Sequence, residues 1–138
     1  MSLLDKVHTG KRPGPFKAVI YGDTGIGKSS WAAGAPKPIF LDIEGGIGHI
    51  DTVSVPLYKK TSLEDVMTVL DDLLINQHDY QTLVLDSVFF LQSLILKKIN
   101  RLHNVEGIGD IPHGAGYAKV TSFFVQVLDK LTELREIR

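Results

Sequence analysis

A parallel α/β sheet flanked by helices is the fold class this sequence predicts, on three observations. Short apolar runs rich in β-branched residues recur at residues 16–21, 39–43 and 82–86. Helical periodicity fills the intervals after them, and strands alternating with helices imply parallel pairing. Glycine-rich turns follow the first two runs, at the carboxyl ends where open parallel sheets hold their ligands.

In chain order, residues 1–15 carry Lys6, Lys11, Arg12, Pro13, Gly14 and Pro15, a mix that resists regular structure and reads as a flexible basic arm. Residues 16–21 (FKAVIY) stop at Gly22 as a buried parallel strand would. Residues 28–33 hold good helix formers, and Gly34, Pro36 and Pro38 keep that helix short. A strand at 39–43 runs into Glu44-Gly45-Gly46-Ile47-Gly48, and a weaker strand is expected at 52–57. Thr61 and Glu64 have capping-box spacing, and Val66, Val69, Leu70, Leu73 and Leu74 share the face of a helix ending near Asn76. Residues 82–86 (TLVLD) form a third buried-strand run, and 88–103 a helix apolar on most sides before Lys97, Lys98 and Arg101. Residues 104–116 contain four glycines and one proline and read as a loop. A last helix at 118–136 presents Val120, Phe123, Phe124, Val127, Leu128, Leu131 and Leu134 at helical spacing. Trp31 is expected to pack its short helix.

Composition narrows the function classes. A chain of 138 residues fits one domain, and a domain of that size buries roughly 68% of its unfolded surface. With 43% hydrophobic and 22% charged residues the sequence lies in the globular range. It has no cysteine, which excludes disulfides and thiolate zinc sites and fits a cytoplasmic home. No apolar run reaches the roughly 20 residues of a membrane span, so no membrane partner is expected. A net charge of −1 gives no global attraction to nucleic acid, leaving only local clusters such as Lys97, Lys98 and Arg101, or Lys11, Arg12 and Lys17. Such clusters are more often solvated faces. His8, His49, His78 and His103 lack metal-ligand spacing.

Residues 22–29 carry the most specific signal. Gly22-Asp23-Thr24-Gly25-Ile26-Gly27-Lys28-Ser29 satisfies G-x-x-x-x-G-K-[ST], with a strand expected before it and a helix after it. Glycines admit the positive φ angles that turn successive N–H groups inward onto phosphates. Lys28 would bridge the β and γ phosphates of ATP, and Ser29 would place its hydroxyl on Mg2+. The phosphate set is Gly22, Asp23, Thr24, Gly25, Ile26, Gly27, Lys28, Ser29 and Ser30. The plain alternative is a glycine turn with an exposed lysine. A guanine-reading N-K-x-D motif is absent from the chain.

A phosphate loop needs a further carboxylate near the metal, at the end of a buried strand. Asp86, ending LVLD, is that candidate, its alternative being a helix cap. Hydrolysis needs a residue that orients water, and Glu44 follows the strand FLDI for that role. Asp42 is its rival, because strand alternation puts both carboxylates on one face.

These three segments, in this order, resemble the RecA family, most closely the RecA-like ATPases of bacteriophages that assist single-strand annealing and recombination. The family has a phosphate loop, then FIDxE, then a strand ending in VDS, matched here by FLDIE and LVLDS. The resemblance covers residues 16–136 loosely, and residues 107–116 followed by Tyr117-Ala118-Lys119-Val120 resemble its DNA-facing loop. It implies ATP and Mg2+ as ligands, phosphate and metal roles for Lys28 and Ser29, a water-activating role for Glu44 and a magnesium role for Asp86. It also implies single-stranded DNA as a partner, homo-oligomeric assembly, and the cytoplasm of a bacterial or phage-infected host cell.

One departure shapes the remaining expectation. The family continues with a strand that senses the γ-phosphate and lies between the phosphate-loop strand and the Asp86 strand, then a second DNA-binding loop. This chain stops at Arg138, so a domain over 16–138 lacking its last strands is expected, with unpaired strand edges beside the site. Two other functions fit the phosphate loop. One is a small-metabolite kinase, which needs an arginine-bearing lid that is not seen; the other is a nucleotide-binding remnant without turnover.

Overall fold

The computed structural model describes residues 2–11 and 14–137. The expectations placed on Arg12, Pro13 and Arg138 lie outside those residues. Among the described residues, three parallel strands form one sheet: β1 (Pro38–Asp42) in the centre, β2 (Val53–Pro56) on one side and β3 (Thr82–Asp86) on the other. The register pairs Asp42 with Pro56 and with Asp86, so the strands end level. Pro56 is tolerated because β2 is an edge strand.

Period-two alternation in β1 divides the core between the two faces of the sheet. Ile39 and Leu41 pack with α2 (Leu63–Ile75), α3 (Val88–His103) and α4 (Ala115–Glu136), among residues such as Val66, Leu70, Ile95 and Val127. Phe40 points the other way, with Ala32 of α1 (Lys28–Ala33) and Ile47. One face is therefore covered by three long helices and the other by a six-residue helix and a loop.

Helix α2 starts one residue away from the expected cap. Ser62 accepts from the Asp65 N–H at 3.3 Å, and the Asp65 carboxylate accepts from the Ser62 N–H at 2.7 Å. This register buries Leu63 along with Val66, Leu70 and Leu73. It also releases Glu64 to bind the Lys98 ammonium and to sit 3.5 Å from Arg101 Nη2. Helix α4 begins three residues earlier than expected, because Gly114 (φ 67) turns the chain into it. Gly116 is buried there, where an added Cβ would lie 2.6 Å from Ile108 Cγ1 and 2.9 Å from Ile111 Cδ1. The loop before α4 contains 3₁₀ turns at Ile108–Asp110 and Pro112–Gly114, and buries Ile111.

Three further expectations fail. Residues 16–21 are not a strand: they pair with no neighbour, and Phe16, Val19 and Tyr21 are 82%, 84% and 92% exposed. Strand-like composition cannot make a strand without a partner for its N–H and C=O groups, and among the described residues β3 pairs with β1 alone. The segment is instead tied to the end of α4, where Lys17 Nζ donates to Thr132 Oγ1 at 2.6 Å and Arg135 donates to the Pro15 carbonyl. Trp31 is 66% exposed, because α1 packs through Ala32. The arm is not without regular structure, since a 3₁₀ turn, Leu3–Lys6, is capped by Ser2 and Asp5.

Candidate functional site

The glycine loop runs from Gly22 into the first turn of α1. Gly25 and Gly27 have φ of 80° and 100°, and no heavy atom lies within 4 Å of a Cβ built on either, so backbone conformation is what requires glycine there. The Ile26 N–H donates to the Asp23 carbonyl at 3.3 Å, closing a turn, and the Trp31 N–H donates to the Gly27 carbonyl at 2.8 Å, opening the helix. Lys28 folds over the loop and donates to the carbonyls of Gly22 and Asp23 at 2.7 and 2.8 Å. Its ammonium thus sits at the loop itself. Thr24, Ile26 and Ser30 are exposed.

A side-chain hydrogen bond joins the end of the loop to the sheet. Ser29 Oγ donates to Asp86 Oδ2 at 2.5 Å, across 57 positions of sequence. Asp86 ends β3, and its peptide bond to Ser87 is cis. The Asp86 carbonyl accepts from the N–H groups of Ile43 and Glu44 at 2.8 and 3.2 Å. Three sequence-predicted positions, Ser29, Asp86 and the backbone of Glu44, are therefore brought to one corner at the strand ends.

Asp42 and Glu44, equivalent by spacing, are separated by the fold. Asp42 is 4% exposed and its Oδ1 accepts the Gly45 N–H at 2.7 Å, which commits it to the turn. Glu44 lies beyond the last residue of β1 and is exposed. Its side chain lines a cavity of about 240 Å³ bounded by Tyr58, Lys60 and Lys97. The aromatic-dibasic run Tyr58-Lys59-Lys60 is the sequence signal for Tyr58 and Lys60. Gly45 (φ 82) is needed twice over, since a Cβ there would also lie 3.0 Å from Tyr58 Cγ.

The donors fit magnesium by type. A hydroxyl and a carboxylate are hard oxygen ligands, and Mg2+ is commonly held by one or two carboxylates, waters and substrate phosphates rather than by an all-protein cage. Among the described residues no group of three or more His, Asp or Glu side chains could hold a metal ion.

The segment implied to face DNA is anchored. Val105, Ile108 and Ile111 pack on the core, and His113 (φ 59) stays exposed. Among the described residues no helix is long and apolar enough to cross a membrane.

No curated protein and no solved structure matches the chain. A family model described as an AAA domain matches residues 15–137, from the segment that leads into the glycine loop to the end of the last helix. The chain therefore belongs to the AAA domain family, which makes it a nucleotide-binding domain of the NTPase class.

Proposed function

We propose that the protein binds ATP with magnesium at the glycine loop and hydrolyses it as a RecA-like ATPase acting on single-stranded DNA. The Ser29–Asp86 contact carries this reading, because it joins the phosphate-loop serine to the strand-end carboxylate as a phosphate-and-metal site requires. In this reading the loop N–H groups bind the phosphates, and Lys28 exchanges two loop carbonyls for phosphate oxygens. Ser29 and Asp86 hold Mg2+, which neutralises charge on the phosphates when bound. Glu44 orients the attacking water, since Asp42 already accepts from Gly45. Single-stranded DNA rests on the likeness of FLDIE and LVLDS to the RecA-like pattern, as does assembly of several copies around the site.

Nucleotide titration beside phosphate release tests the assignment. Lys28→Ala is expected to lose ATP binding, on the order of 100-fold for a charge-assisted phosphate contact. Glu44→Gln is expected to keep binding and lose turnover. Equal loss of binding in both variants contradicts the division of roles. Full binding without phosphate release in the unmodified chain, with or without single-stranded DNA, favours the remnant reading instead.

A further inference from the structure

We propose a second nucleotide-binding position, in the cavity beside Glu44: one nucleotide unit, its phosphate held between Lys60 and Lys97 and its base laid against Tyr58 and Phe90. The cavity is built from three elements. The end of β1 contributes Glu44, the connection between β2 and α2 contributes Tyr58 and Lys60, and α3 contributes Phe90, Ser93 and Lys97. Those three positions of α3 are spaced i, i+3 and i+7, which puts them on one helical face.

The charges separate into two kinds. Lys98 and Arg101 both engage Glu64 and so have a structural partner. The side chains of Lys60 and Lys97 have no hydrogen bond or ion pair among the described residues, although Glu44 lines the same cavity. Two cations against one carboxylate leave a positive charge on a wall that also carries apolar surface. Tyr58 and Phe90 are 45% and 37% exposed, and Tyr58 is seated against Gly45, within 3.0 Å of where a Cβ would stand. Exposed rings beside unpaired lysines are what a nucleotide needs: every base has a π face to stack, and every nucleotide a phosphate to pair. At about 240 Å³ the open cavity is smaller than a full ligand pocket of roughly 300–1,000 Å³, and takes only part of one nucleotide unit, its base and phosphate, with the sugar toward solvent.

The same chemistry has two sources, a strand of DNA or a free mononucleotide. Binding in this cavity does not depend on ATP turnover. Only its consequence, that an occupied cavity adjoins the water-orienting Glu44 and alters phosphate release, rests on the function proposed above.

The experiment uses the whole chain with two probes, fluorescein-labelled dT20 followed by anisotropy and dTMP followed by displacement of that label and by NMR shifts. Lys60→Ala with Lys97→Ala is expected to weaken dT20 at least tenfold and to flatten the salt dependence by about 0.7 in log–log slope, one single-strand phosphate's worth. Tyr58→Ala is expected to weaken dT20 with the slope unchanged. Lys37→Ala, exposed just before β1 at the opposite end of the sheet, leaves dT20 binding in place. Displacement by dTMP with the same variant dependence assigns the cavity to a free mononucleotide; dT20 binding that dTMP does not displace assigns it to a strand. A double variant with an unchanged thermal midpoint that binds dT20 and dTMP like the unmodified protein overturns the proposal, as does failure of both probes to bind at all. ATP titration alongside keeps the two readings apart, since loss of ATP binding refutes the first site and leaves this one standing.

Discussion

The two faces of the sheet are held in different ways. On one, α2, α3 and α4 enclose Leu41, Leu70, Ile95 and Ile99 with no exposed area. On the other, α1 and the glycine loop rest on the small cluster of Ala32, Phe40 and Ile47 and on the Ser29–Asp86 hydrogen bond. Asp86 and Glu44 leave strands of the packed body, whereas Lys28 and the loop amides sit on the lightly held side. Stability and the proposed phosphate binding thus fall in different regions, and substitutions can separate them.

The largest expected effect lies in the packed body. Leu41→Ala removes a fully buried side chain between the sheet and the three helices, and is expected to cost about 2–5 kcal/mol in urea denaturation. A smaller loss would mean that the body is loosely packed and the contrast is false. Next, Gly27→Ala places a side chain at φ 100° with open space around it. The strain of about 1–3 kcal/mol is expected to fall on the loop, weakening ATP binding while the urea midpoint of the body stays in place. A matching fall in both would show that loop and body unfold as one unit. Ser62→Ala deletes the cap of α2 and is expected to cost about 1 kcal/mol, readable in the same denaturation series.

A weaker effect depends on pH. The hydrogen bond from Lys98 is the chief cause that holds the Glu64 carboxyl down at about 2 from an ordinary 4.5. Between those values the unfolded chain binds more protons than the folded one, so this contribution is complete above pH 4.5 and is lost as pH falls toward 2. The Glu64 side chain is 49% exposed, so solvent screening limits the gain to about 0.2–1 kcal/mol. Glu64→Gln should flatten the pH dependence of stability in that window, and an unchanged slope would show that the bridge contributes nothing. The smallest effect belongs to Phe16→Ala, expected within about ±0.5 kcal/mol because the ring is 82% exposed. A loss of several kcal/mol there would mean that residues 16–21 are buried in solution, and the contrast between the two sides would fail.

Local chemistry was legible from the sequence. The span of α1 followed from Gly34 and two prolines, and that of α3 from its apolar periodicity before Lys97 and Lys98. The strands ending in Asp42 and Asp86 were equally plain, because buried parallel strands are continuous apolar runs. The cap of α2 was misplaced by one residue, since Thr61 with Glu64 and Ser62 with Asp65 have the same spacing and only burial of Leu63 separates them. Residues 16–21 misled for a deeper reason: apolar β-branched composition describes a segment able to join a sheet, and joining needs a neighbour with free backbone groups.

By itself the sequence determined that helices lie near residues 28–33, 63–75, 88–103 and 118–136, that buried strands end near Asp42 and Asp86, and the order of glycine loop, FLDIE and LVLDS, because each depends on propensity or periodicity within a few residues. Only the tertiary structure decided that Ser29 meets Asp86, that Asp42 is spent on a turn while Glu44 stays exposed, and that Lys60 and Lys97 share a cavity with two aromatic rings. Those relations join positions far apart in the chain or distinguish neighbours of equal spacing, and they are settled by which backbone and side-chain groups packing leaves without partners.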